Sequence, residues 1–309
     1  MLVPWLAWAV VRTFGLDAAG GRLVPAMAFT PLVLVTAVVP LAVILVLRRW
    51  PVVIVWAVVA GALLAAVLPR ALAGPNPAIR DGIGLRVMTA NLYLGHGDPA
   101  TIVRLVREHR VDVLSLQELT PEEVARLDAA GLRRLLPYRD LDARPGAGES
   151  GLFARRPLRH LPQVNAVQLM GEPRAELRLP GVPPIELEAV HPPPPLHADV
   201  GVWQRMLREI PASDRTRPTL RIVAGDFNAT LDHRELRRVL GRGLVDAADA
   251  TGDGLKTTWP AGRRLPPEIT IDHVLIDPRI AARAVSVHTI PRSDHRAVIA
   301  TLELPPAAG

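Results

Sequence analysis

Two long runs without a charged residue near the start of the chain limit what it can become. Pro25–Leu47 is uncharged over about 23 residues and Pro51–Leu68 over about 18, and either length can cross a bilayer as a helix. A third apolar stretch, Leu2–Leu16, spans about 15 residues and carries Arg12. It reads as a short or tilted span, with a re-entrant or interfacial segment as the alternative. Helices apolar on every side have no stable place in water, so residues 1–70 are expected to form a membrane anchor of two or three transmembrane helices.

Charge sets the expected orientation. Arg48 and Arg49 lie in the tight turn between the two long runs, and positively charged loops stay in the cytoplasm. The last span then runs outward, so everything after it is extracytoplasmic, and a first span leaves the N-terminus inside. Arg22 and Arg70 are single charges that pull the other way. A cleaved signal peptide does not fit, because no basic region precedes the first apolar stretch. Ala71-Leu72-Ala73 resembles a small-residue cleavage site, yet the apolar stretch before it is too long and too deep in the chain. The expected location is a multi-pass position in the cell membrane.

The net charge of +6 invites a nucleic-acid reading that its distribution weakens. Residues 1–70 hold five arginines and Asp17, which leaves about +2 for residues 71–309. Lys256 is the only lysine, and an arginine bias beside abundant Ala, Pro, Leu and Val follows more simply from GC-rich coding. Arg133-Arg134, Arg155-Arg156 and Arg263-Arg264 read as solvated surface. The absence of cysteine excludes disulfides and thiolate metal sites.

Residues 71–84, rich in Pro and Gly between Ala73 and Arg80, read as a linker. Residues 85–309, about 225 residues, suit one α/β domain. Strands are expected at Leu85–Leu92, Val111–Leu116, Leu152–Ala154, Arg174–Leu179, Ile185–Val190 and Leu220–Ala224, then at Thr270–Ile276, Ala284–Ile290 and Ala297–Leu304. Helices are expected at Pro99–His109, from a Thr120 cap to about Leu136, at Ala198–Ile210, and at Arg234–Leu240 under an Asp232 cap. Strands outnumber helices and several follow one another directly. The pattern predicts packed β-sheets flanked by helices, and not a doubly wound parallel sheet.

Chemistry concentrates where these strands stop. The apolar run Leu220–Ala224 ends at Gly225, and Asp226 and Asn228 follow with Phe227 between them. Side chains two apart on extended backbone point the same way, so both polar groups can face one pocket while Phe227 packs behind. Alone, Gly, Asp and Asn also describe an ordinary turn. Asn91, Glu118, His191, Asp272 and the pair Asp294-His295 likewise sit at strand ends or edges, where loops converge on a site. Each has a plain structural explanation by itself: Glu118 as a helix cap, His191 as a strand end before prolines, Asp294-His295 as a surface turn, and Asp272-His273 as a sheet-edge pair.

As an ordered set these residues resemble the endonuclease/exonuclease/phosphatase superfamily, which includes deoxyribonucleases, abasic-site endonucleases, neutral sphingomyelinases and inositol-polyphosphate phosphatases. The motifs are Thr89-Ala-Asn91-Leu, Leu116-Gln-Glu118-Leu, Gly151-Leu-Phe-Ala-Arg, Ala189-Val-His191, Gly225-Asp-Phe-Asn228, Ile271-Asp-His273 and Ser293-Asp-His295. The resemblance implies a four-layer sandwich of two packed β-sheets flanked by helices. It implies that Glu118, Asn91 and Asp294 hold Mg²⁺ or Mn²⁺, since all-oxygen ligands do not suit zinc. It further implies that His295 contacts the scissile phosphate, that Asp272 fixes its tautomer, and that Asp226 orients or deprotonates the attacking water. Asn228 would hold a phosphate oxygen and His191 would donate to the phosphate or the leaving oxygen. Whether Asp226 or His295 is the general base stays open. His273 stands where aromatic residues are frequent in the family, and Pro192–Pro195 stiffen the loop after His191; both are expected to bear on substrate shape.

The expected function is a membrane-tethered, metal-dependent hydrolase of phosphate esters. Nucleic acid and lipid headgroups both remain as substrates: +2 gives little support to a nuclease groove, and a tether suits either. A catalytically silent binding domain of the same fold is the alternative from another class, and the completeness of the residue set argues against it.

Overall fold

The computed structural model describes residues 3–142, 149–164, 170–196, 199–263 and 267–307. The strands are β1 (Ile83–Asn91), β2 (Val113–Gln117), β3 (Tyr138–Asp142), β4 (Ser150–Ala154), β5 (Leu158–Leu161) and β6 (Arg174–Leu177). There follow β7 (Ile185–Val190), β8 (Leu220–Asp226), β9 (Val245–Asp246), β10 (Asp272–Ile276), β11 (Ala281–Thr289) and β12 (Arg296–Leu304). They form two six-stranded sheets, in the orders β11-β12-β1-β2-β4-β3 and β5-β6-β7-β8-β10-β9.

Each sheet has one parallel pair at its centre, β1–β2 and β7–β8, flanked by the antiparallel partners β12 and β10. Strand direction therefore decides where the polar ends meet. The C-terminal ends of β1, β2, β7 and β8 share an edge with the N-terminal ends of β10 and β12. Val87, Val113, Ile222, Val274 and Val298 pack between the sheets. Their neighbours point outward: Met88 and Leu114 lie under α6 (Pro99–Glu108) and α7 (Pro121–Ala130), and Val223 and Leu275 lie under α9 (Val200–Glu209) and α10 (Arg234–Gly241). Strands buried on both faces read as continuous apolar runs, and each such side chain contributes about 1.5–3 kcal/mol on burial. The result is the expected sandwich of helices, sheet, sheet and helices.

The sequence marked some boundaries correctly and others not. Thr120 caps α7, its hydroxyl accepting from the Glu123 amide at 3.2 Å, with Pro121 in the first turn. That helix stops short of Leu136, because Gly131 at φ 106° ends it and a short α8 (Leu132–Leu135) restarts it. α9 begins at Val200; Ala198, its expected start, lies outside the described residues. Asp232 does not cap α10. The Arg234 amide donates instead to Asp17 Oδ2 at 2.9 Å. A last short helix, α11 (Ala247–Thr251), has no counterpart in the expected pattern.

The N-terminal segment forms α1 (Val3–Phe14), α2 (Leu23–Met27), α3 (Thr30–Thr36), α4 (Val38–Val46) and α5 (Trp50–Val67). Among the described residues one helix is long and apolar enough to cross a membrane, the 22 residues Trp50–Ala71. The uncharged run from Pro25 is not one continuous helix: it breaks at Ala28–Phe29, Pro31 starts α3, and the apolar helix covers Thr30–Val46. Helices α1, α3, α4 and α5 share a small core around Ala37, Trp56, Val59 and Leu63. Trp5 and Trp8 of α1 donate to Thr36 and Thr30 at 3.2 and 3.0 Å. Their outer faces expose apolar side chains, Ile54 at 69% and Val46 at 81%.

This segment is fastened to the sandwich. Val24 of α2 is fully buried among Trp203, Phe227 and Leu236. Arg12 Nε lies 2.8 Å from Asp232 Oδ1, and Arg70 grips the same carboxylate at 2.6 and 2.8 Å, with Asp232 wholly inaccessible. The linker is sewn down as well, Gly74 N donating to Ala250 O at 3.1 Å and Asn76 Oδ1 accepting from Ala282 N at 3.0 Å.

Candidate active site

Asn91 ends β1, fully buried, and its side-chain amide joins the two sheets. Its Nδ2 donates to Glu118 Oε1 at 3.0 Å and to Asp226 Oδ2 at 3.1 Å. Glu118 follows β2 in the left-handed region (φ 52°), a conformation that costs energy for any residue with a Cβ. Its other oxygen, Oε2, accepts from the Leu94 amide at 2.7 Å. Asp226 ends β8, and its Oδ1 accepts from the Asn228 amide at 2.8 Å. Asn228 is also left-handed (φ 47°) and donates through Nδ2 to Pro192 O at 3.0 Å. Only glycine fits before Asp226: a Cβ on Gly225 would lie 1.9 Å from Val190 O of β7.

The antiparallel register of β8 and β10 sets Asp272 directly opposite Asp226. His295, just before β12, points Nδ1 at the Asp272 carboxylate (3.0 and 3.2 Å). Its Nε2 stands 3.7 Å from Asp226 Oδ2 and 3.9 Å from Asp294 Oδ1. Burial would lower the His295 pKa, but the carboxylates of Asp272 and Asp226 outweigh it and push it up to about 10. Asp226 is raised to about 6, by burial first and the Asp272 carboxylate second, against the pull of His295 and His191. His191 Nε2 lies 3.8 Å from Glu118 Oε1 and 3.9 Å from Asp226 Oδ2, and burial lowers its pKa. Glu172 Oε1 accepts from the His191 amide at 3.1 Å.

All eight residues expected from the sequence meet here. Glu118, His191, Asp226, Asn228, Asp294 and His295 line one cavity of about 620 Å³, and Asn91 and Asp272 stand directly behind it. Two further residues contribute, Trp259 without a sequence signal of its own and Ser293 from the Ser293-Asp-His295 motif. Trp259 donates from Nε1 to Asp294 Oδ2 at 3.0 Å, from a loop without periodicity. Ser293 donates to Asn91 O at 2.8 Å and accepts from the His295 amide at 3.0 Å. His273 departs from expectation. Alternation along β10 turns it away from Asp272 and it is not among the residues lining the cavity; it contacts Asp246 Oδ2 at 2.6 Å and Ala229 O at 2.8 Å.

The donor set suits a hard divalent cation. Four carboxylates (Glu118, Asp226, Asp272 and Asp294) face two imidazoles, and buried Asp294 Oδ1 has no hydrogen-bond partner. Asp226, Asp272 and His295 present potential ligand atoms within 4.8 Å of one another. Within that group Asp272 is engaged by His295 Nδ1, while the Glu118 oxygens accept from Asn91 Nδ2 and the Leu94 amide.

Three comparisons bear on this architecture. The sequence profile of the Endonuclease/Exonuclease/phosphatase family matches residues 88–295. A search of curated proteins gives no match. TDP2 from D. rerio, complexed with single strand DNA product, is similar at a TM-score of 0.57 and 18% identity, over 71% of this chain and 98% of that one. Truncated TDP2 from Caenorhabditis elegans gives 0.56 and 18%, over 72% and 98%. An endonuclease/exonuclease/phosphatase from Beutenbergia cavernae gives 0.54 and 20%, over 72% of each chain. At such identities the structural likeness is one of fold, the two packed mixed sheets of the DNase I-like sandwich. Fold and profile agree over the stretch that carries the site, and the chain belongs to the endonuclease/exonuclease/phosphatase family.

Proposed function

We propose that the chain is a Mg²⁺- or Mn²⁺-dependent hydrolase of phosphate esters, held in the membrane by residues 1–70 with its catalytic domain outside the cytoplasm. The convergence of Asn91, Glu118, Asp226, Asp272, Asp294 and His295 from two sheets onto one cavity edge carries the reading. Glu118, Asn91 and Asp294 would hold the cation, which supplies positive charge to the phosphate oxygens. Asp226, raised to about 6, is ionised at neutral pH and still basic enough to orient and deprotonate water. His295, its Nδ1 held by Asp272 and its Nε2 3.7 Å from Asp226 Oδ2, serves as a donor to the phosphate beside Asp226 as the base. His191 Nε2 donates to the leaving oxygen, and Asn228 keeps one amide hydrogen for a phosphate oxygen after serving Pro192.

The test uses the full chain in detergent with bis(4-nitrophenyl) phosphate and 4-nitrophenyl phosphate, with Mg²⁺, Mn²⁺ or a chelator. Asp226→Ala and His295→Ala are each expected to lower kcat by about 10²–10⁴. Undiminished hydrolysis by either variant, or in chelator, overturns the assignment. A DNA-directed reading draws on the TDP2 structure bound to single strand DNA product. A silent binding domain is disfavoured by the complete residue set.

Support for the tether and its orientation comes from the exposed apolar faces and from where the arginines go. Arg12 and Arg70 both pair with Asp232 beside the sandwich, while Arg48 and Arg49 stay exposed before α5. Two of the three charges that seemed to oppose the orientation, or to interrupt a span, are thereby accounted for.

A further inference from the structure

We infer that the segment joining α1 to α3, residues 15–29, is one wall of the active site, and that this wall selects amphiphilic phosphodiesters of the membrane. The inference rests on the phosphoesterase reading above and names its substrate class. Pro25, Ala28 and Phe29 line the same cavity as Glu118, Asp226 and His295. They do so from a fixed position. Val24 and Met27, on either side of Pro25, are 0% and 1% exposed, Asp17 receives the Arg234 amide, and Arg12 and Arg70 close on Asp232.

The rest of the apolar lining is Met170, Pro193, Pro194, Pro195 and Leu196, with Ile269 and Ile271. Among the described residues that line the cavity there is no lysine or arginine. A nucleic-acid strand carries a charge at every nucleotide and needs cations along its path. This cavity meets one phosphate with polar groups and offers hydrocarbon beyond it.

The apolar surface does not end at Phe29. Ala28 and Phe29 also line a second hollow of about 170 Å³, shared with Pro31 and Leu32 at the start of α3 and with the Arg70–Asp232 pair. From there the exposed apolar faces of α3, α4 and α5 continue. An acyl chain can thus run from the bilayer along Leu32 and Phe29 while its phosphate reaches Asp226 and His295. In the reaction, water adds to phosphorus, the bond to one alcohol oxygen breaks, and that alcohol leaves with a proton while the other ester bond is kept.

The experiment compares the full chain with Phe29→Ser and Leu196→Ser, in detergent micelles with Mg²⁺. Three probes are used: micelles carrying phosphatidylglycerol, phosphatidylethanolamine and phosphatidylinositol; bis(4-nitrophenyl) phosphate; and a single-stranded oligonucleotide. At least one phospholipid is expected to be cleaved, and each variant to lower the ratio of phospholipid to soluble-diester kcat/KM by about tenfold or more. Leu196 is 47% exposed, so its replacement keeps the test sound if Phe29→Ser fails to fold. An unchanged ratio in folded Phe29→Ser overturns the wall at residues 15–29, an unchanged ratio in Leu196→Ser overturns the apolar cavity as the selector, and cleavage of the soluble diester or oligonucleotide without any phospholipid overturns both; each outcome leaves the phosphoesterase reading standing. No metal-dependent cleavage of any probe by the unaltered chain overturns both.

Discussion

His295 is a histidine whose protonation is decided by its neighbours. Burial favours the neutral ring, and two carboxylates within 3.7 Å reverse that preference. Because its pKa is raised, the charged form prevails below about 10 and is lost as pH rises through that value. Asp272→Asn removes the larger of the two carboxylate influences. Activity on bis(4-nitrophenyl) phosphate is expected to fall by about 10³–10⁴, with the alkaline limb of the kcat profile moved to lower pH. A profile unmoved by the substitution counts against Asp272 as the group that positions His295. Gly225 makes a separate residue-scale prediction. Gly225→Ala presses a methyl into the Val190 carbonyl, so β7 and β8 must part; a stability loss of at least about 1–3 kcal/mol is expected from thermal unfolding.

Among elements, β10 and the loop after β8 are tied together by a pair outside the cavity. His273 bridges Asp246 and Ala229 O, and it packs edge-on against Phe227 at 5.6 Å. Burial lowers the His273 pKa, but Asp246 outweighs it and the net shift is upward from 6.5. The unfolded chain gives up this proton near 6.5, so the pair stabilises fully below that pH and loses its effect as pH rises through the higher folded value. The melting temperature of the full chain should decline across that window. Asp246→Asn, which keeps an oxygen for the Asp249 amide, should abolish the decline and cost about 3–5 kcal/mol at pH 6. Most elements around the site were legible because their strands are apolar runs that stop at a polar residue, as Leu220–Ala224 does before Asp226. The cap of α10 was not legible, because Asp232 is claimed by Arg12 and Arg70, partners far away in sequence. The role of Trp259 was hidden for a related reason: its partner Asp294 is brought by the fold and not by spacing.

For the whole molecule, apolar composition predicted the helices at the N-terminus without predicting their destinations. Hydrophobicity is the same whether lipid or protein covers a side chain. The run from Pro25 carries no charge to mark a change of surroundings, yet Pro25, Ala28 and Phe29 line the cavity of the sandwich and Thr30–Val46 forms the apolar helix. Reporter fusions test the proposed arrangement. A periplasm-active reporter is expected to work after residue 307 and a cytoplasm-active one within the Arg48–Arg49 turn, and the opposite pattern rejects the orientation. Asp232→Ala should lower the melting temperature of the full chain, since the buried Arg70 and the partly buried Arg12 lose their shared partner at about 3–5 kcal/mol. An unaltered melting temperature would show that the clasp adds nothing to stability.

The burial of Val24 among Trp203, Phe227 and Leu236 makes this a protein without interchangeable parts. Transplanting residues 85–309 onto another helix, or shedding them by proteolysis between Ala73 and Arg80, would open a greasy socket beside Phe227 and strand Asp232 without a cation. Modularity at the level of the gene would then fail at the level of the fold, and relatives that exchanged their anchors would have had to refill that socket.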